Sequence, residues 1–145
     1  MTSHQDLTLT KEQIARVVDL FYDRVQLDQG LSQPFSIVTD WAHHKAIISH
    51  FWWMTLGGER YIDHKYSVAP KHRAVGFTPD LLNHNWLPLF ELTMREVLPD
   101  ELSDIWMTQA RRIGQSLELN HNYWSAQTES DKKQVLENNF SEVKR

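Results

Sequence analysis

A chain of 145 residues, 41% hydrophobic and 23% charged, has the length and balance of one globular domain, able to bury roughly 70% of its unfolded surface in a single core. Its formal net charge of −4, without any run of Lys or Arg, argues against a nucleic-acid partner. The absence of cysteine removes disulfides, thiolate chemistry, Cys-ligated zinc, iron–sulfur clusters and any cofactor held by thioether bonds.

Residues 1–9 read as a polar N-terminal extension with no apolar stretch of the kind a signal peptide needs. Thr10 and Gln13 form a T-x-x-Q capping box that opens the first helix. From there Ile14, Val17, Val18, Phe21, Tyr22 and Val25 recur at i, i+3, i+4, i+7, i+8 and i+11, a single apolar stripe. The helix is expected to stop at Asp28-Gln29-Gly30, where glycine can leave the helical conformation. Tyr22 lies inside the stripe, so its hydroxyl needs a buried partner. It is either a core tyrosine bonded to a carbonyl or a donor facing a ligand.

Leu31 to Thr39 is a turn-rich corner containing Pro34-Phe35, and Asp40 then caps a second long helix that should end at Gly57-Gly58. His44, Ile47, Ile48, Phe51, Trp52 and Thr55 share one face, which puts His44 at the first-turn end of an apolar stripe. His43 and His50 project from other faces and are expected in solvent. No carboxylate at ligand spacing joins the three histidines into a metal site. The most hydrophobic stretch, Ala46 to Leu56, is too short to span a bilayer, and the protein is expected to be cytoplasmic.

Residues 57–77 show no sustained period and contain Pro70 and Gly76 as well as the glycine pair. A connection of about twenty residues is long for a compact domain and is expected to be functional, ordered by something it binds. It carries His72, four positions after Val68. Thr78-Pro79 opens a third helix with Leu82, Trp86, Leu89, Phe90, Thr93 and Val97 on one face, and Pro88 should bend it. Pro99-Asp100 starts the last helix, whose stripe takes in Leu102, Ile105, Trp106, Gln109, Ile113, Leu117 and Trp124. The segment 127–145 is a polar tail. With no strand pattern and no internal repeat, the class is all-α, one domain over residues 10–126.

The inward positions make an unusual set: Tyr22, His44, Trp86 and, in the connection, His72. A neutral imidazole is a natural axial ligand for haem iron, and a hydroxyl and an indole N–H across from it are donors for a small ligand. Six tryptophans can fill a core, but they can also wall a pocket for a flat molecule.

From about Ile14 to Trp124 the sequence resembles the truncated haemoglobins, and within them group III. The likeness is carried by Phe21-Tyr22, by Trp41-x-x-His44-Lys45 with Phe51-Trp52, by His72, by Phe77-x-Pro79, and by Trp86-Leu87-x-Leu89-Phe90-Glu91. It implies a globin-like two-on-two helical sandwich around haem b with His72 as proximal ligand. Tyr22, His44 and Trp86 are then the distal residues, Tyr22 and Trp86 as donors and His44 as a gate. Phe35, Ile48, Phe51, Trp52, Val68, Phe77 and Trp86 would contact the haem, and Lys71 and Arg73 are the nearest cations for its propionates. The lead Val68-Ala69-Pro70 departs from the family's usual turn, as do the long polar ends.

Function follows from that set as an expectation. The chain should bind O2, NO, CO or peroxide at haem and release the ligand slowly, which favours scavenging, sensing or redox chemistry. The alternative is a haem redox enzyme, an NO dioxygenase or peroxidase-like catalyst. It would need an external reductase, because no flavin or nicotinamide fingerprint is present. A cofactor-free helical interaction module is the third possibility, and it would give a colourless protein.

Overall fold

The computed structural model describes residues 8–64, 66 and 77–126, with side chains through 122. The readings made for Val68, Lys71, His72 and Arg73, for the Trp124 side chain and for the two polar ends up to 7 and from 127 lie outside the described residues. Those residues are all-helical, with no strand among them, and none of their helices is long and apolar enough to cross a membrane.

Helix α1 spans Lys11–Val25 and begins with the reciprocal cap: the Gln13 amide donates to Thr10 Oγ1 at 3.1 Å and the Thr10 amide to Gln13 Oε1 at 2.9 Å. Its buried residues are Ile14, Val17, Val18, Phe21, Tyr22 and Val25, the stripe that the spacing picks out. It ends at Val25, ahead of the expected glycine stop. The Asp28 carboxylate takes over, accepting from the amides of Gly30 and Leu31 at 2.9 and 3.0 Å and from Asn85 at 3.3 Å. A side chain that satisfies local amides ends the helix without a left-handed glycine.

After a 3₁₀ turn, Pro34–Ile37, helix α2 runs from Trp41 to Thr55 under an Asp40 cap. It stops at Gly57, whose φ of +102° only glycine adopts without strain. Gly58 is held small for a different reason. A β-carbon there would fall inside the Trp53 indole. That ring is pinned by its own N–H to the Glu59 carbonyl at 3.0 Å and by the Lys11 ammonium 5.2 Å from its centroid. Gly58→Ala should therefore lower stability by about 1–3 kcal/mol, the usual cost of overpacking a fixed ring. Thermal melts of wild type and variant check this, and an unchanged Tm would mean that the indole swings away freely.

The third helix, α3, has three parts: an α turn at Pro79–Leu81, a π turn at Leu82–Trp86 and an α-helix at Leu87–Val97. Pro88 was expected to bend this helix. The disturbance takes the form of the π turn just before it, closed by the Leu87 amide on the Leu82 carbonyl. The ring of Pro88 crowds the carbonyl four residues back, and wider winding relieves that contact. Helix α4 covers Asp100–Ala126.

Helix α1 lies against α2 and against the Leu87–Val97 part of α3, which packs in turn on α4. Where they meet, Phe90 stacks on Trp52 at 5.6 Å and meets Trp106, Phe21 and Trp86 at 5.3, 4.8 and 4.7 Å. Arg24 ties α1 to α3 through Thr93 at 3.0 Å and Glu96 at 2.6 Å. The buried face of α4 is Leu102, Ser103, Trp106, Met107, Ala110 and Gly114. Ile105, placed on that face by the spacing, is 38% exposed. With apolar residues at 105, 106 and 107, periodicity alone leaves the phase open by one position.

Candidate functional site

Beneath the apolar face of α2 lies a cavity of about 450 Å³. Its roof is the α2 stripe, His44, Ile47, Ile48, Phe51 and Trp52, at the 3–4 residue spacing that brings side chains onto one face. These residues other than Trp52 are only half buried, because they wall the cavity and do not fill the core. Tyr22 enters from α1, Phe35 from the 3₁₀ turn, Phe77 from just before α3, and Leu82 and Trp86 from the π turn. Ala110, Ile113, Gly114 and Leu117 of α4 close the remaining side, and His64 and Tyr66 of the connection also face in. Of the residues singled out from sequence, Tyr22, Phe35, His44, Ile48, Phe51, Trp52, Phe77 and Trp86 thus surround one space. Ile47 belongs to the same stripe, whereas His64 and Tyr66 come from a segment without period, where no spacing points to them.

Part of the polar lining lies around Tyr22. Its ring meets Phe35 at 5.7 Å, Trp41 at 5.8 Å and His44 at 6.1 Å, and it is 4% exposed. Burial raises its phenol well above the usual tyrosine range, partly offset by a hydrogen bond with Trp86. An indole N–H can only donate, so Trp86 donates and the Tyr22 oxygen accepts. The phenol then keeps its own proton available as a donor, and the incoming hydrogen bond polarises it. Next to His44, Lys45 locks α2 to α1 through Asp19 at 2.8 Å and Asp23 at 2.6 Å. Burial disfavours the Lys45 charge, but the two carboxylates outweigh it and hold the ammonium above its ordinary range.

His50 differs from its expectation. The helical pattern puts it toward solvent, yet it is fully buried, with Tyr61, Ile62 and Tyr66 around its ring nitrogens. Its partners sit in the aperiodic connection, so helical spacing had no means of finding them. Among the described residues no three His, Asp or Glu come together as metal ligands.

The cavity fits a flat, largely apolar macrocycle. Its volume lies in the ordinary range for cofactor pockets, roughly 300–1,000 Å³, its walls are largely aromatic and aliphatic, and its hydrogen-bonding side chains are few, among them Tyr22, His44 and Trp86. His44 and His64 are the imidazoles on the wall of the cavity among the described residues.

No family model matches the chain. It is similar to the group 3 truncated hemoglobin ctb of Campylobacter jejuni, at 30% identity over 111 residues, covering 73% of this chain and 86% of that protein. A crystal structure of group III truncated hemoglobin from Campylobacter jejuni superposes with a TM-score of 0.68 at 28% identity. That match covers 81% of this chain and 92% of the other.

Proposed function

The chain belongs to the group III truncated haemoglobin family, with its all-α globin fold and the haem-binding character of that family, and on that premise we propose that it holds haem b through His72 and binds small diatomic ligands reversibly, releasing them slowly. When bound, haem supplies an iron at which O2, NO or CO can be taken up. The rest is the work of the side chains. Tyr22 holds its proton at Oη throughout the neutral range and offers it into the cavity, with Trp86 polarising it from behind. The aromatic walls keep water away, which strengthens that hydrogen bond. The observation that carries the reading is the Tyr22–Trp86 pair set into a largely apolar cavity of cofactor size.

His44, half buried on the first turn of α2 and edge-on to both Tyr22 and Trp41, is the residue we assign as gate. Phe35, Ile48, Phe51, Trp52, Val68 and Phe77 are assigned to the haem faces, and Lys71 and Arg73 to its propionates. A donor that slows release suits scavenging, sensing or redox use of the ligand better than bulk delivery, and a cytoplasmic setting goes with that role. An absorption spectrum of the purified protein, ferric and then dithionite-reduced under CO, tests the proposal. A Soret band that shifts on reduction and again on CO is expected. A protein that stays colourless after haemin is added would overturn it.

A further inference from the structure

His50 is wholly buried on α2, yet it does not line the cavity. Both ring nitrogens face the chain that leaves α2. Nε2 is 3.1 Å from the Tyr61 amide and 3.2 Å from the Ile62 amide, and Nδ1 is 2.7 Å from the Tyr66 hydroxyl. Two N–H groups aimed at Nε2 leave that nitrogen one role, acceptor, so the partners assign the single proton of the neutral ring to Nδ1, which donates to Tyr66 Oη. Tyr66 donates in turn to the Ile47 carbonyl at 2.9 Å. Every donor and acceptor in this run is matched. The ring of Tyr66 is itself a wall of the cavity, 5.3 Å from Phe51 and 4.6 Å from His64.

We propose that His50 is a positioning residue of the haem pocket: it pins residues 61, 62 and 66 to α2 and, through Tyr66, fixes one wall of the cavity at the start of the segment that leads to His72. This role rests on the cavity being a haem site. It also requires the ring to be neutral, since a proton at Nε2 would meet two amide N–H groups and find no acceptor. Burial first, then the positive charges of Arg60 and His64 in the connection and Lys11 on α1, hold His50 below the ordinary imidazole range. Tyr61, whose ring meets His50 edge-on at 4.5 Å, and Tyr66 are uncharged neighbours. The unfolded chain takes up this proton at a pH of about 6.5 and the folded chain only lower. The stability it contributes is therefore complete above that pH and is lost as the pH falls toward the folded value.

Two measurements on the full chain test this. The first needs no haem: nitrogen NMR of His50, with hydrogen exchange at the amides of 61 and 62. Wild type should carry its proton on Nδ1 and protect both amides, and His50→Leu, which fills similar space without an acceptor, should expose them. The second is haemin loss to an excess of an acceptor globin. His50→Leu should release haemin about tenfold faster at neutral pH and lack the part of the rise in wild type that sets in as the pH falls below about 6.5. Tyr66→Phe keeps the ring in the aromatic wall but removes the acceptor of Nδ1–H, so it should give a smaller increase in haemin loss. A proton found on Nε2, or variants with wild-type amide protection and wild-type haemin loss, would overturn the role of His50 and leave the haem reading standing. Failure of the wild-type chain to take up haemin would overturn both.

Discussion

The His72→Ala protein is expected to lose the haem spectrum: added haemin should bind at least a hundredfold more weakly, and the CO complex of the reduced protein should not form at stoichiometric haem. The size follows from what lesser losses do. Residues that only orient a metal ligand cost tenfold to hundredfold in affinity when removed, and the ligand itself must cost more. The cavity walls would remain, so free imidazole added to the variant should restore the bands by entering the space left by the side chain. That rescue separates loss of a ligand from loss of the fold. If the variant keeps an unaltered Soret band without added imidazole, His72 is not the axial residue. Of the described imidazoles, His44 and His64 reach the cavity, and the same substitution at each would then identify the ligand.

Tyr22→Phe should be the second large effect. The ring keeps its edge contacts with Phe21 at 4.8 Å and Phe35 at 5.7 Å, so packing changes little. What goes is the proton offered into the cavity, together with the acceptor for the Trp86 N–H. One such hydrogen bond in a dry site is worth about 1–3 kcal/mol, so O2 release in stopped flow should accelerate roughly ten- to hundredfold. Trp86→Phe removes the polarising bond and part of the indole wall but leaves the Tyr22 proton in place, and should give a smaller acceleration. pH supplies a further check. Because burial raises the phenol above its ordinary value, the donor survives past the pH of about 10 at which a free tyrosine ionises. Release should then be flat with pH up to at least that point in wild type. A Tyr22→Phe protein that releases O2 at the wild-type rate would remove this residue from the donor role.

The helices were legible because their signals are local. A capping box at Thr10–Gln13, an aspartate at 40, a Thr-Pro pair at 78–79 and stripes at helical period each act within a few residues. Phase was less secure wherever apolar residues run together, as Ile105, Trp106 and Met107 show. The π turn was invisible beyond its proline, since nothing in Leu82-Asn83-His84-Asn85-Trp86 separates one winding from another. For the site, Tyr22, His44, Phe51, Trp52 and Trp86 could be brought together because each lies on a periodic face. His50 and Tyr66 could not, because their partners are set by a fold-back of irregular chain. The role of His72 rests on family likeness more than on spacing.

The π turn also leaves the chain one residue longer than ordinary winding would need between the Thr78 cap and Trp86, since it is closed by a bond spanning five residues. Removal of a single residue from this stretch, Asn83 for example, could be absorbed by a plain helix with its backbone bonds intact, and the flanking residues would keep their faces, because the residue lost is the one the wider winding accommodates. A chain shortened by one residue there should therefore still fold, with the change felt where the widened turn meets the cavity, at Leu82 and Trp86.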